Sequence, residues 1–421
     1  MKKLGLVLLI LLPMISPQEI AAEEALPLNL SDLIVQAVKS NPSIKVEYNQ
    51  WQAAKNRVPQ ASSLPDPMGG YSVMGPMLET RLGPQKDMYE FEQMIPFPGK
   101  LFERRKMAEA QARMAEAKYK MTEQEVILRV KEVYYDLFSA EASLRILEEI
   151  RDLMRNFESI AQARYASQSA GQGEVAKAQA EVSEALKQIF TLRQQKETLV
   201  SLMNSLLNRD HSTPWEGLIT EPTLPPLDLN LEELLTEAKN NRPELKEALA
   251  MKKREEHGQS LAKYEYAPDL TVGFQYFRIG ERETNEADDG RDAWMIPIKF
   301  TIPLWQNRIV PTIAEAKNNL KASEARFREV SNETEYEIKR AFFQFTNQKQ
   351  IVELYRNAFI PQAELAFRSD QAGYESGSTD ILQLIDSERV YLNAKMSYYQ
   401  TLAEVMKSFA VIERIVGKEL K

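Results

Sequence analysis

The sequence is a tandem repeat, which limits it to folds that use one unit twice. LNLSDLIVQAVKSNPSIK begins at Leu28 and LNLEELLTEAKNNRPELK at Leu229, an offset of 229 − 28 = 201. Leu30/Leu231, Leu33/Leu234, Ala37/Ala238, Pro42/Pro243 and Lys45/Lys246 match within it. Further along, LPDP at Leu64 answers APDL at Ala267, and MIPF at Met94 answers TIPL at Thr301. VKEVYYDLF at Val130 answers IKRAFFQFT at Ile338, and Tyr165 answers Tyr374, where the offset is 374 − 165 = 209. So small a drift needs few insertions. Solenoid periods are about 20–50 residues, so this is a duplicated half and not a stacked array. A connector at 211–228, with Pro214, Pro222, Pro225 and Pro226, separates a first repeat at 23–210 from a second at 229–421.

Each half has the same plan. A medium helix runs from Ser31 to about Arg57, and again from Leu231 to about Tyr264. A β-hairpin follows at about 68–97 and about 269–304. A very long helix comes next, from Leu101 to Ser167 and from Ile309 to Tyr374, then a Gly/Ser turn and a last helix at 174–208 and 379–416. At ~1.5 Å per residue the longest helices approach ~100 Å and need a partner alongside. The small residues Ala108, Ala110, Ala112, Ala115 and Ala117 and the stripe Val126, Val130, Val133, Leu137 provide a packing face.

The strands carry the strongest functional signal. In DAWMIPIKFTIPL, Trp294, Ile296, Ile298, Phe300 and Ile302 share one face, and Met295, Pro297, Lys299 and Thr301 share the other. Leu270, Val272, Phe274 and Tyr276 alternate in the same way, as do Tyr89, Phe91 and Ile95 in the first half; GYSVMG around Tyr71 is weaker and rich in Gly. A half-buried strand of a soluble sheet also alternates. An export signal and aromatics near the strand ends favour the lipid-facing strands of a transmembrane barrel. Four strands cannot close a barrel, and an open edge is not tolerated in lipid, so several chains must share one. FEQMIPFPGK and FTIPLWQNR then mark two seams where a strand enters a helix, with Gly99 read as part of a turn.

Composition excludes several classes. The net charge of −8 argues against a nucleic-acid binder. Residues 1–22, with Lys2, Lys3 and an apolar core at 4–12, read as a secretory signal. Later in the sequence no apolar run reaches the ~20 residues of a membrane helix. The chain has no Cys and two His, so no Cys/His zinc cluster can form. There is no GxxxxGK[ST] phosphate loop and no GxSxG elbow. The expectation is a chain without catalytic site, cofactor or resident metal. Met68, Met74, Met77, Met88 and Met94 gather around the first hairpin with irregular spacing, which suits an apolar filler better than a soft-metal site.

RYASQSAGQGE, GYESGSTDILQLIDSERVYLNAK and QMIPFPGK, set in this duplicated plan, resemble TolC-type outer-membrane efflux proteins over essentially the whole mature chain. PDPMGGYSVMG with QMIPFPGK is similar to the heavy-metal branch. The resemblance implies a mainly α fold with a membrane β-barrel contribution. It implies a homotrimer whose 12-stranded barrel, set in outer-membrane lipid, continues as a periplasmic α-helical tunnel. The duct would be passive, fed by an inner-membrane efflux pump through a periplasmic adaptor (membrane fusion) protein, with heavy-metal ions as one cargo. It also implies a periplasmic gate: Asp386 and Tyr374 match gate residues, Gln383 stands where a second Asp can occur, and Thr379 where some members have Arg. The alternative is a soluble periplasmic coiled-coil adaptor or scaffold. The two differ in fractionation: a duct should be extracted from outer membranes only with detergent. Recovery of the mature chain in a detergent-free periplasmic extract would overturn that expectation.

Overall fold

The computed structural model describes residues 29–75, 78–215, 217, 219–225, 230–282 and 287–420. The signal segment read at 1–22, Met77, and parts of the connector and of the acidic loop after β4 lie outside these residues. The duplication is plain in the element order. Helices α1 (Leu30–Ser40) and α2 (Pro42–Ala61) lead to strands β1 (Met68–Val73), β2 (Glu79–Thr80) and β3 (Gly83–Ile95), then to α3 (Pro98–Ala166) and α4 (Gln172–Leu206). The second half repeats this with α5 (Leu231–Asn241), α6 (Pro243–Lys263), β4 (Leu270–Ile279), β5 (Ala293–Met295), β6 (Ile298–Phe300), α7 (Gln306–Leu354), α8 (Ile360–Ser376) and α9 (Ile381–Val416).

Three sequence expectations need correction. The medium helix of each half is two helices, broken at Asn41–Pro42 and Arg242–Pro243. The residue before proline is pushed out of the helical region: Asn41 has ψ 126° and Arg242 has ψ 121°. The long helix of the second half is interrupted by a π turn at Tyr355–Phe359, just before Pro361, which cannot donate to the preceding turn. Its counterpart α3 has no such proline and runs unbroken for 69 residues. The strand read at 292–304 is hydrogen-bonded as β5 and β6. Both keep one register on β4, with Trp294 opposite Tyr276 and Ile298 opposite Val272. The gap falls at Pro297, which has no N–H to give, though its carbonyl still accepts from Gly273 N at 2.9 Å.

The sheet is antiparallel, in the order β1, β3, β4, then β5 and β6, with β2 pairing β3 at the tip. The two halves meet at its centre, where β3 pairs β4 from Ile95↔Leu270 to Gln85↔Ile279. Among the described residues the strand edges β1 and β5/β6 are unpaired. Below the sheet the helices bury two apolar clusters. One joins Leu33 and Ala37 of α1 and Leu234 and Ala238 of α5 to Val130 and Leu137 of α3 and Leu402 and Val416 of α9. The other, nearer the helix turns, contains Leu147, Met154, Phe157, Ile189, Phe367, Tyr374 and Leu384.

On one face of the sheet the large apolar side chains are open: Ile298 is 65% exposed, and Tyr71, Phe91, Phe274, Trp294 and Phe300 are similarly uncovered. If this face meets lipid, Ile298→Arg should cost about 2–4 kcal/mol. Lys299→Gln, one residue along on the opposite face, should cost under about 1 kcal/mol. Urea titrations of protein folded into lipid vesicles would measure both, and equal costs would count against the assignment of faces.

Candidate functional site: the sheet faces and the helix tips

Strand register turns the open face into an ordered band. Tyr71, Tyr89, Tyr276 and Trp294 are direct cross-strand neighbours and form one aromatic row across the whole sheet. Beyond that row lie charges: Arg278 donates to Asp87 Oδ2 at 2.6 Å, and the Tyr276 hydroxyl bonds Asp292. On the other side of the row come Phe91, Phe274 and Ile296, then Val272 and Ile298 with polar Gln93 beside them, then Ile95, Leu270 and Phe300, followed by exposed Leu304 and Trp305. From Trp294 to Phe300 is 300 − 294 = 6 steps along β5 and β6, about 20 Å of strand, and the apolar run continues past its end at Ile302 and Leu304. Aromatics stand at both margins of this band, as in an outer-membrane barrel wall.

The opposite face is polar. Gln275 donates to Glu90 Oε2 at 3.2 Å, and Lys299 bonds Glu92. Met68, Met88, Met94 and Met295 stand on this face by register. Among the described residues no group of three or more His, Cys, Asp or Glu could hold a metal ion. Nor is any described helix long and apolar enough to cross a membrane.

A buried ion pair fixes the sheet to the helices. Lys100 Nζ, on the first turn of α3, contacts both oxygens of Asp269 at 2.9 Å and the Ala267 carbonyl at 3.1 Å. Asp269 Oδ1 also accepts from Phe97 N at 2.8 Å. Gly99 lies within α3 and not in a turn, which corrects the sequence reading. A Cβ there would stand 2.7 Å from the Tyr264 ring, so glycine is needed for close approach of α6's end. Pro98 occupies the first helical position, where its missing N–H costs nothing.

At the far end the two helical hairpins turn. Gly377 closes α8 with φ 80°, and Gln168, at the matching place in the first half (377 − 168 = 209), has φ 61°. The structure separates the residues grouped from sequence. Tyr374 is fully buried, edge-on to Phe157, with the Arg164 guanidinium 5.0 Å from its ring centre. Its hydroxyl has no hydrogen-bond partner. Asp386 and Gln383 are exposed and line a groove of about 840 Å³ between α4, α8 and α9. Gln383 Nε2 donates to Asp370 Oδ1 at 2.8 Å, and across the groove Arg389 binds Glu181. Asp370, Glu181 and Arg389 do not stand out in the sequence because each reads as an ordinary charge on a solvated helix.

An apolar sheet band bounded by aromatics, mounted on long amphipathic helices that turn far from it, defines an outer-membrane channel that extends into the periplasm. The chain belongs to the outer membrane efflux protein family, whose model matches residues 85–208 and 234–418. It is 21% identical, over 94% of this chain and 91% of the relative, to the cobalt-zinc-cadmium resistance protein CzcC of Cupriavidus metallidurans. Its fold matches that of the outer membrane protein VceC from Vibrio cholerae with a TM-score of 0.78 and 16% identity, over 93% and 97% of the two chains. For the outer-membrane channel OprN the values are 0.79 and 15%, over 93% and 90%. For CusC they are 0.77 and 14%, over 93% and 92%. The soluble adaptor reading is thereby set aside.

The burial of Tyr374 gives a direct test. Tyr374→Ala should cost about 3–5 kcal/mol, whereas Tyr374→Phe, which removes only an unpaired hydroxyl, should stay within about 1 kcal/mol of wild type. Thermal melts in detergent distinguish these outcomes.

Proposed function

We propose that three copies of this chain close a twelve-stranded barrel and form the passive exit duct of a tripartite efflux system. The observation that carries this reading is the pair of strand edges, β1 and β5/β6, left unpaired among the described residues, on a sheet whose outer face between the aromatic row and the helices is apolar but for Gln93. Hydrocarbon offers no partner for edge N–H and C=O groups, so each edge must pair with another copy. Four strands per chain give 8 from two copies and 12 from three. Eight strands leave an interior that side chains fill, so a conduit needs the larger assembly. The polar face with Glu90, Glu92, Gln275 and Lys299 then lines the lumen. Transport energy comes from an inner-membrane pump, with a periplasmic adaptor joining it to the helix tips.

The groove with Asp386 and Gln383 is the periplasmic gate of this duct. Asp386 contributes one carboxylate per copy, three around the assembly axis, which attracts cations as they pass. Likeness to CzcC makes heavy-metal cations the favoured cargo, with metal choice made by the pump and adaptor. Asp386→Ala should raise single-channel conductance or weaken block by divalent cations in planar bilayers. If neither changes, Asp386 is not part of the gate.

A further inference from the structure

One carboxyl group near the tips is out of place. Glu388, on α9, is only 2% exposed, and its Oε1 has no hydrogen-bond partner. It borders a cavity of about 420 Å³ where α9 packs against α3 and α4. The side of α3 facing it offers only Leu147, Ile150 and Met154. From α4 it faces the carboxylates of Glu181 and Glu184, and its neighbour on α9 is Arg389. None of these three is free to satisfy it. Arg389 and Glu181 bind one another, and Glu184 accepts from Lys187 at 2.7 Å and Gln188 at 3.1 Å. An unpaired buried carboxylate is costly, whereas the protonated acid is not. Of the other polar side chains lining the cavity, Gln188 donates to Glu184 and Asn393 does not reach Glu388 Oε1, so the occupant that fits this oxygen is a proton.

We propose that Glu388 is a proton switch for the periplasmic gate: protonated, it lets α9 lie packed on α3 and α4, and ionised, it drives α9 away from Glu181 and favours opening. The inference goes beyond the duct reading, which supplies the gate that the switch would move. Assembly into an oligomer can only bury Glu388 further. Burial, with Glu181 close by, pushes its pKa from an ordinary 4.5 up to about 7, against the pull of Arg389. A carboxyl whose pKa is raised in the packed state stabilises packing at low pH. That stability declines as pH rises from about 4.5 to about 7 and then levels off, so the open-to-closed ratio grows by at most about tenfold per pH unit over this window.

The test uses the full-length protein in detergent and in planar bilayers, between about pH 5 and pH 8. Infrared difference spectra should show a protonated-carboxyl band that is lost near neutral pH in the wild type and missing in Glu388→Gln. Because the chain has no Cys, spin labels on Ser183→Cys and Val390→Cys report the α4–α9 distance. That distance should widen with pH in the wild type and stay short in Glu388→Gln. Conductance should rise over the same window, be flat and low in Glu388→Gln, and keep its midpoint in Asp386→Asn. The proposal is overturned if the band is the same in both proteins, if the label distance ignores pH, or if Glu388→Gln keeps the wild-type pH response. A protein that shows the band and the distance change but never conducts would overturn the duct reading and leave the switch standing.

Discussion

Backbone N–H and C=O groups cannot be left unpaired in hydrocarbon, and this single constraint governs the molecule. The chain offers a sheet four strands wide with a largely apolar outer face and, among the described residues, two bare edges. Such a sheet has no stable place in water or in lipid as a single copy. The proposed closure with other copies would resolve this and would fix the arrangement around it: outer face to lipid, Glu90 and Glu92 inward, and helices leaving from one rim. The aromatic row Tyr71–Tyr89–Tyr276–Trp294 matters because it crosses all four strands at one height, as a girdle must.

The junction between sheet and helices is where the two halves depend on one another. Lys100 comes from the first half and Asp269 from the second, and both are largely buried. Removing either partner would leave a charge without compensation, a larger loss than the pair's net contribution to stability. Gly99 serves the same junction by letting the Tyr264 ring press against the start of α3. Duplication thus produces more than symmetry, because each copy completes a seam that the other cannot finish alone.

Lower down, the halves diverge. Helix α3 is unbroken, while α7 and α8 are separated by a π turn ahead of Pro361. The second half also carries Asp386, Gln383 and the buried Glu388 on α9. The first hairpin faces this helix with two different surfaces: the apolar wall of Leu147, Ile150, Met154 and Phe157 on α3, and the carboxylates of Glu181 and Glu184 on α4.

The duplication, the hairpin strands with their apolar and polar faces, and the long helices are all legible in the sequence, because periods of 2 and 3.6 residues are local properties of the chain. The breaks at Pro42, Pro243 and Pro361 are written there too, although a stripe of apolar residues persists across them and reads as continuous helix. Which strands are neighbours, and so that four separate aromatics make one row, is settled only by the packed chain. Packing also places Tyr374 in the core, away from Asp386 and Gln383, although all three lie within thirteen residues (386 − 374 = 12 steps). It likewise sets Glu388 apart from the surrounding Asp and Glu residues. Burial and pairing depend on helices that lie some two hundred positions away in the chain (388 − 181 = 207), and no local pattern encodes them.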